Sequence, residues 1–125
     1  MAIAGRDVFN TRRTLTIGKQ EYDYFSLSAA EEAGLGHFSR LPKSLKVILE
    51  NLLRFEDGRS VKKKDIEAFG AWLKSGSSDH EIAYRPARVL MQDFTGVPAI
   101  VDLAAMRDAV VKWGGDPKQI NPEST

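Results

Sequence analysis

Ala87-Arg88-Val89-Leu90-Met91-Gln92-Asp93-Phe94-Thr95-Gly96-Val97-Pro98 is the stretch on which the fold turns. Ala87–Met91 combines a β-branched residue with long apolar ones and follows Pro86. Such a run predicts a strand buried on more than one side. Asp93-Phe-Thr-Gly96 predicts a turn. Pro98 then predicts a helix start, because a first-turn position does not need its missing N–H. Ile100, Leu103, Met106, Val110 and Trp113 recur at helical spacing, and Gly114-Gly115 with Pro117 marks the stop. A strand, a turn and a helix return the chain to a second parallel strand. Only 12 residues follow Trp113, and none of them reads as a strand. The sequence therefore predicts an incomplete α/β module with an exposed strand edge, an aggregation hazard.

Toward the N-terminus the patterns are local. Residues 1–13 are polar, end in Arg12-Arg13 and read as a flexible arm. Leu15 and Ile17 alternate with threonines, and Tyr22 and Tyr24 with acids, around a turn near Gly18; this predicts a β-hairpin with one apolar face. Ser28-Ala-Ala-Glu31 has the form of a capping box, so a short helix is expected from Ser28 until Gly34 and Gly36 stop it. Pro42 opens the strongest helix, with Leu45, Ile48, Leu49 and Leu52 in one stripe, Glu50 and Arg54 paired on the outside, and Gly58 as the end. Ile66, Phe69 and Leu73 predict a second amphipathic helix, flanked by Trp72. Ser75–Asp79 reads as a plain loop.

Composition narrows the chemistry. The 125 residues are 42% hydrophobic and 28% charged, with a net charge of +1, the balance of one globular domain. Such a charge excludes gross attraction to nucleic acid or anionic membrane as the main drive. There is no cysteine, hence no disulfide, zinc thiolate or cluster ligand. His37 and His80 are too far apart in sequence to form a metal pair at helical spacing. No apolar run approaches the roughly 18 residues of a membrane span, and the N-terminus lacks a secretory signal pattern. The cytoplasm is the expected compartment.

No phosphate loop, dinucleotide fingerprint or nucleophile elbow is present. Asp79-His80-Glu81 reads as solvated loop, because adjacent loop residues do not converge on one point. Lys62-Lys63-Lys64 reads as the solvated start of a helix, and Arg85 and Arg88 as partners for acids of a neighbouring element. Trp72 and Trp113 suit core or domain contacts better than base stacking. The most suggestive position is Gln92. It lies between the predicted strand and the helix start, where α/β sheets bind ligands and where open helix N–H groups favour anions. Its amide donates to a carboxylate; the alternative is that Gln92 and Asp93 merely cap the turn.

Two stretches resemble the cytosolic-type aconitases, the family of bacterial aconitate hydratases and iron regulatory proteins. They are Arg40-Leu-Pro-Lys-Ser-Leu-Lys-Val-Ile-Leu-Glu-Asn-Leu-Leu-Arg54 and the segment from Arg85 to Arg107. Gly114-Gly-Asp-Pro-Lys-Gln-Ile-Asn-Pro122 continues the likeness, which runs from about residue 14 to residue 122. The resemblance implies the beginning of the first α/β/α domain of a four-domain hydro-lyase that interconverts citrate and isocitrate through cis-aconitate. It implies a [4Fe–4S] cluster held by three cysteines, all outside this chain, and no catalytic or metal-binding residue within it. Gln92 matches the family glutamine that contacts substrate carboxylates, and Asp93, Thr95 and Gly96 match its supporting loop. The implied partners are citrate or isocitrate and the remaining aconitase domains, and no membrane. Family members without a cluster bind RNA, so an RNA-binding remnant and a non-functional truncated product are the alternatives to an inactive fragment. Glu123-Ser-Thr125 departs from the Asp-His continuation of the family and reads as a divergent tail.

Overall fold

The computed structural model describes residues 5–122; the divergent tail at 123–125 lies outside them. The chain divides into two compact units, residues 1–85 and 86–125.

In the first unit, β1 (Arg12–Ile17) pairs antiparallel with β2 (Gln20–Phe25) in the register Leu15↔Tyr22 and Ile17↔Gln20. Gly18 adopts φ +64, which the tight turn requires. Leu15, Ile17, Tyr22 and Tyr24 share one face, as the alternation predicts, and all four are exposed. On the opposite face, Phe25 is buried.

A short helix α1 (Leu27–Glu32) follows. Its cap is Ser26, whose hydroxyl accepts from the Ala29 N–H at 3.2 Å. The helix thus starts before Ser28, the expected cap. Glu31, expected to close a capping box, instead accepts from the Ser39 N–H at 2.5 Å, within a 3₁₀ turn at Phe38–Arg40.

Helix α2 (Lys43–Phe55) begins just after Pro42, as expected. Leu49, Leu52 and Leu53 are fully buried, each stabilising the fold by about 2 kcal/mol through removal of apolar surface from water. Leu45 and Ile48 are partly buried against the same cluster. Glu50 and Arg54 pair at 2.6 Å, but not as an idle surface pair. Glu50 accepts from the Phe25 N–H at 3.1 Å, and Arg54 donates to the Asp23 carbonyl at 3.1 Å and lies over the Phe25 ring. The pair latches β2 to α2. The helix ends at Phe55, before Gly58, because Asp57 takes over the backbone: it accepts from the N–H groups of Arg59, Ser60 and Val61.

Helix α3 (Lys63–Ser75) buries Ile66 and Phe69 against α2 and stops at Gly76, whose φ is +72. Leu35, Phe38, Leu41 and Val61 complete the core.

The expected arm is 1–13. Residues 1–4 lie outside the described residues, whereas Gly5–Arg13 make defined contacts. The Arg6 N–H donates to the Glu56 carbonyl at 2.8 Å and its guanidinium to the Glu56 carboxylate at 2.6 Å. Thr11 is buried and its N–H is held by Asp7 at 2.8 Å. Gly5 sits so close to the Arg54 carbonyl that a Cβ would stand 2.3 Å from that oxygen.

The second unit departs from the sequence reading. Residues 87–91 form no strand, and the only sheet among the described residues is the hairpin. Val89, Leu90 and Met91 are exposed. The physical reason is the one that made the module incomplete: a parallel strand exists only with a neighbour to complete its ladder. The mixed α/β content stands, without the buried strand. Helix α4 (Asp93–Lys112) starts five residues before Pro98, so the expected Asp93–Gly96 turn is its first turn. Pro98 lies inside the helix and offers no N–H to the Phe94 carbonyl. Beyond α4, Arg107 donates to the Ile120 carbonyl and the Asn121 side chain, both at 3.0 Å.

Candidate functional site

The site begins with the chain direction set by α4. Gln92 is its N-cap residue, in extended backbone, and its carbonyl accepts from the N–H groups of Thr95 at 3.1 Å and Gly96 at 2.9 Å. Helix geometry leaves the Asp93 and Phe94 N–H groups without an intrahelical acceptor. Gln92 makes no side-chain cap bond, while its position and carbonyl cap the helix as the alternative of a mere cap has it. Gln92, Asp93 and Thr95 are exposed and Gly96 is half-buried. The four residues are thus one contiguous surface at a helix N-terminus, not a loop between a strand and a helix.

Charge limits what this surface recognises. Asp93 already supplies the first-turn negative charge that the helix dipole favours. That charge disfavours a second anion, and the donors this surface offers are the neutral Gln92 amide and the open backbone N–H groups. Such donors orient a carboxylate but neither activate a nucleophile nor move a proton on their own.

The other candidates sort differently. Among the described residues no group of three or more His, Asp or Glu side chains is placed to hold a metal ion. The donor chemistry of an iron–sulfur cluster, thiolate sulfur, is missing from the whole sequence. These residues do not fit the cluster that the family resemblance implies. Lys62 stands at the N-cap of α3, and Lys63 pairs with Glu67 at 3.3 Å on the exposed helix surface. Arg85 does find a neighbouring acid, Asp57 at 3.6 Å, and also donates to the Ser60 hydroxyl at 3.0 Å. Trp72 packs against the core, while Trp113 is 84% exposed.

His80 is the correction. Sequence reasoning left Asp79-His80-Glu81 in solvent, yet His80 Nε2 lies 2.7 Å from Asp65 Oδ1, and the Asp65 side chain is only 7% exposed. No local pattern announces this contact, because its partner is 15 residues earlier on α3. Burial pushes the Asp65 carboxyl up, but the Lys62 N–H and the His80 ring outweigh it and leave the group below its usual range.

Comparison with known proteins places the chain in a family. A family model described as aconitase family (aconitate hydratase) matches residues 64–125. Aconitate hydratase A of Bradyrhizobium diazoefficiens is 63% identical over 116 residues, 93% of this chain and 13% of that protein. The Legionella pneumophila protein of the same name is 58% identical over 96% of the chain and 14% of its own length. That of Bacillus subtilis is 48% identical over 96% of the chain and 13% of its own length. The chain thus spans about an eighth of the length of these curated relatives and matches their N-terminal region. With the contiguous match and the Gln92–Gly96 segment inside the family-model region, the chain belongs to the aconitase family.

Proposed function

We propose that this chain serves as the N-terminal part of an aconitate hydratase, in which Gln92 donates to a carboxylate of citrate or isocitrate. The observation that carries the reading is the Gln92 amide itself: exposed, not engaged in capping, and seated at an open helix N-terminus within the family match. Thr95 and Gly96 fix its backbone, since their N–H groups donate to the Gln92 carbonyl, and Asp93 is the supporting position that this reading leaves to the family match. In this role Gln92 orients substrate; the dehydration and rehydration steps fall to groups that this chain does not contain.

The chain alone is therefore inactive as a hydro-lyase, and the remaining aconitase domains are its partner. Two uncovered apolar surfaces support that. One is the hairpin face of Leu15, Ile17, Tyr22 and Tyr24. The other is α4, which is apolar on several sides, with Phe94 at 85% exposure and Val97, Ile100, Val101 and Met106 also exposed. A helix that is apolar all round belongs inside a larger structure. No helix among the described residues is long and apolar enough to cross a membrane, so protein is the cover this reading assigns. The test is complementation. The purified chain is expected to form no cis-aconitate from citrate or isocitrate. Mixed or co-expressed with the rest of a close relative, such as the Bradyrhizobium diazoefficiens enzyme lacking its matching region, it is expected to restore turnover. Cluster-dependent turnover by the chain alone, or failure of the mixture while the intact relative works, contradicts the reading.

A further inference from the structure

We propose that residues 76–85 form a pH-responsive strap, latched by His80 onto Asp65 across an apolar pocket between α2 and α3. The strap has no regular secondary structure and is fixed at both ends. Gly76, at φ +72, turns the chain out of α3, and the Arg85 backbone is held by the Asn51 side chain through two hydrogen bonds. Between these ends, His80 supplies the polar tie to α3, and Ile82 packs against the core. Beneath lies a pocket of about 130 Å³, lined by Leu45 of α2, Phe69 and Trp72 of α3, and Ile82 and His80 of the strap.

The chemistry of the latch fixes the direction of its response. Asp65 Oδ2 accepts from the Lys62 N–H at 2.7 Å, and Oδ1 faces His80 Nε2. A carboxylate only accepts, so Nε2 carries its proton in both states of the ring, and the second proton arrives at Nδ1. Protonation turns a neutral hydrogen bond into a charge-assisted one of roughly twice the strength. Lys64 acts on Asp65 from α3, Asp79 and Glu81 flank His80 within the strap, and the Ser78 hydroxyl accepts the His80 N–H at 3.1 Å. From α2 the pocket receives only Leu45. Asp65 stays anionic throughout the imidazole range because its carboxyl is held below the usual value. A protonated ring therefore latches the strap more tightly than a neutral one.

Trp72 lies under the strap and reports its opening. In a Trp113→Phe background, which leaves Trp72 as the sole tryptophan, the acrylamide quenching constant of Trp72 is expected to be roughly twofold or more higher at about pH 8 than at about pH 5.5. His80→Gln keeps a donor but cannot titrate, and is expected to abolish the difference; His37→Gln is expected to leave it intact. No difference in the parent, or its persistence in His80→Gln, overturns the proposal. If circular dichroism shows that His80→Gln is unfolded, Asp65→Asn decides. It keeps an acceptor for Lys62 without the charge, and persistence of the pH effect there equally overturns the proposal.

Discussion

Asn51 clasps the backbone of Arg85 from both sides of its amide: Nδ2 donates to the Arg85 carbonyl at 2.7 Å, and Oδ1 accepts from the Arg85 N–H at 3.0 Å. One side chain on α2 thus does what a neighbouring strand would do for an extended residue. Arg85 is fixed further by its contact with Asp57 and by its position over the Phe55 ring. Asn51→Ala is expected to cost about 1–3 kcal/mol, since it strands two partly buried backbone groups. Asn51→Asp is expected to cost at least as much, because it sets an acceptor against the Arg85 carbonyl. Urea denaturation midpoints check both; midpoints equal to the parent's contradict the clasp.

The core and the uncovered hairpin face separate in a second pair of variants. Leu52 is fully buried, and Leu52→Ala is expected to lose about 2–5 kcal/mol through lost transfer energy and a cavity. Leu15, half exposed on the hairpin, is expected to tolerate Leu15→Ser within about 0.5 kcal/mol. Equal losses at both positions would mean that the hairpin face is buried in the isolated chain.

Acid should weaken the fold, and the sign follows from two carboxyls. The Ser60 hydroxyl and the backbone N–H groups of Arg59, Val61 and Ser60 hold Asp57 well below the usual carboxylate range, and Asp65 is lowered as well. A group whose folded value is depressed adds stability above its unfolded value of about 3.9, and that stability is lost as pH falls below it. The melting temperature is expected to be flat from about pH 5 upward on this account and to fall steeply below about pH 4. Asp57→Asn is expected to melt lower at neutral pH and to show a shallower acid decline. An unchanged acid slope in that variant contradicts the role given to Asp57.

Exposed apolar groups on α4 predict self-association of the chain by itself. Phe94→Ser removes the side chain that is 85% exposed. It is expected to reduce light scattering and dye binding with a stability change within about 0.5 kcal/mol. A large loss of stability in Phe94→Ser would show that this face is already covered.

What the sequence reveals depends on the range of each signal. The α2 stripe is legible because Leu49 and Leu52 lie three residues apart and must share a face. The hairpin is legible because alternation and Gly18 act within a dozen residues. The strand expected at Ala87–Met91 is not formed, because strand character is a property of a pair and its partner is not in these residues. Pro98 misled the placement of α4, since proline suits a first turn but is tolerated further in. Gln92 precedes the helix in either reading, across a turn in the sequence reading and as the N-cap residue in the structure. The contacts of Asn51 with Arg85 and of His80 with Asp65 were not, because nothing local encodes a meeting across 34 or 15 residues.

The central claim, that Gln92 recognises a substrate carboxylate, is tested most directly by steady-state kinetics on a graft. This chain replaces the matching region of the Bradyrhizobium diazoefficiens aconitate hydratase A, with Gln92 intact or changed to alanine. Losing one hydrogen bond to a charged group costs about 1.5–3 kcal/mol, so Gln92→Ala is expected to lower kcat/KM for citrate and isocitrate roughly 10- to 150-fold, with correctly folded protein and an intact cluster spectrum. Kinetics in the alanine graft equal to those of the glutamine graft would contradict the claim.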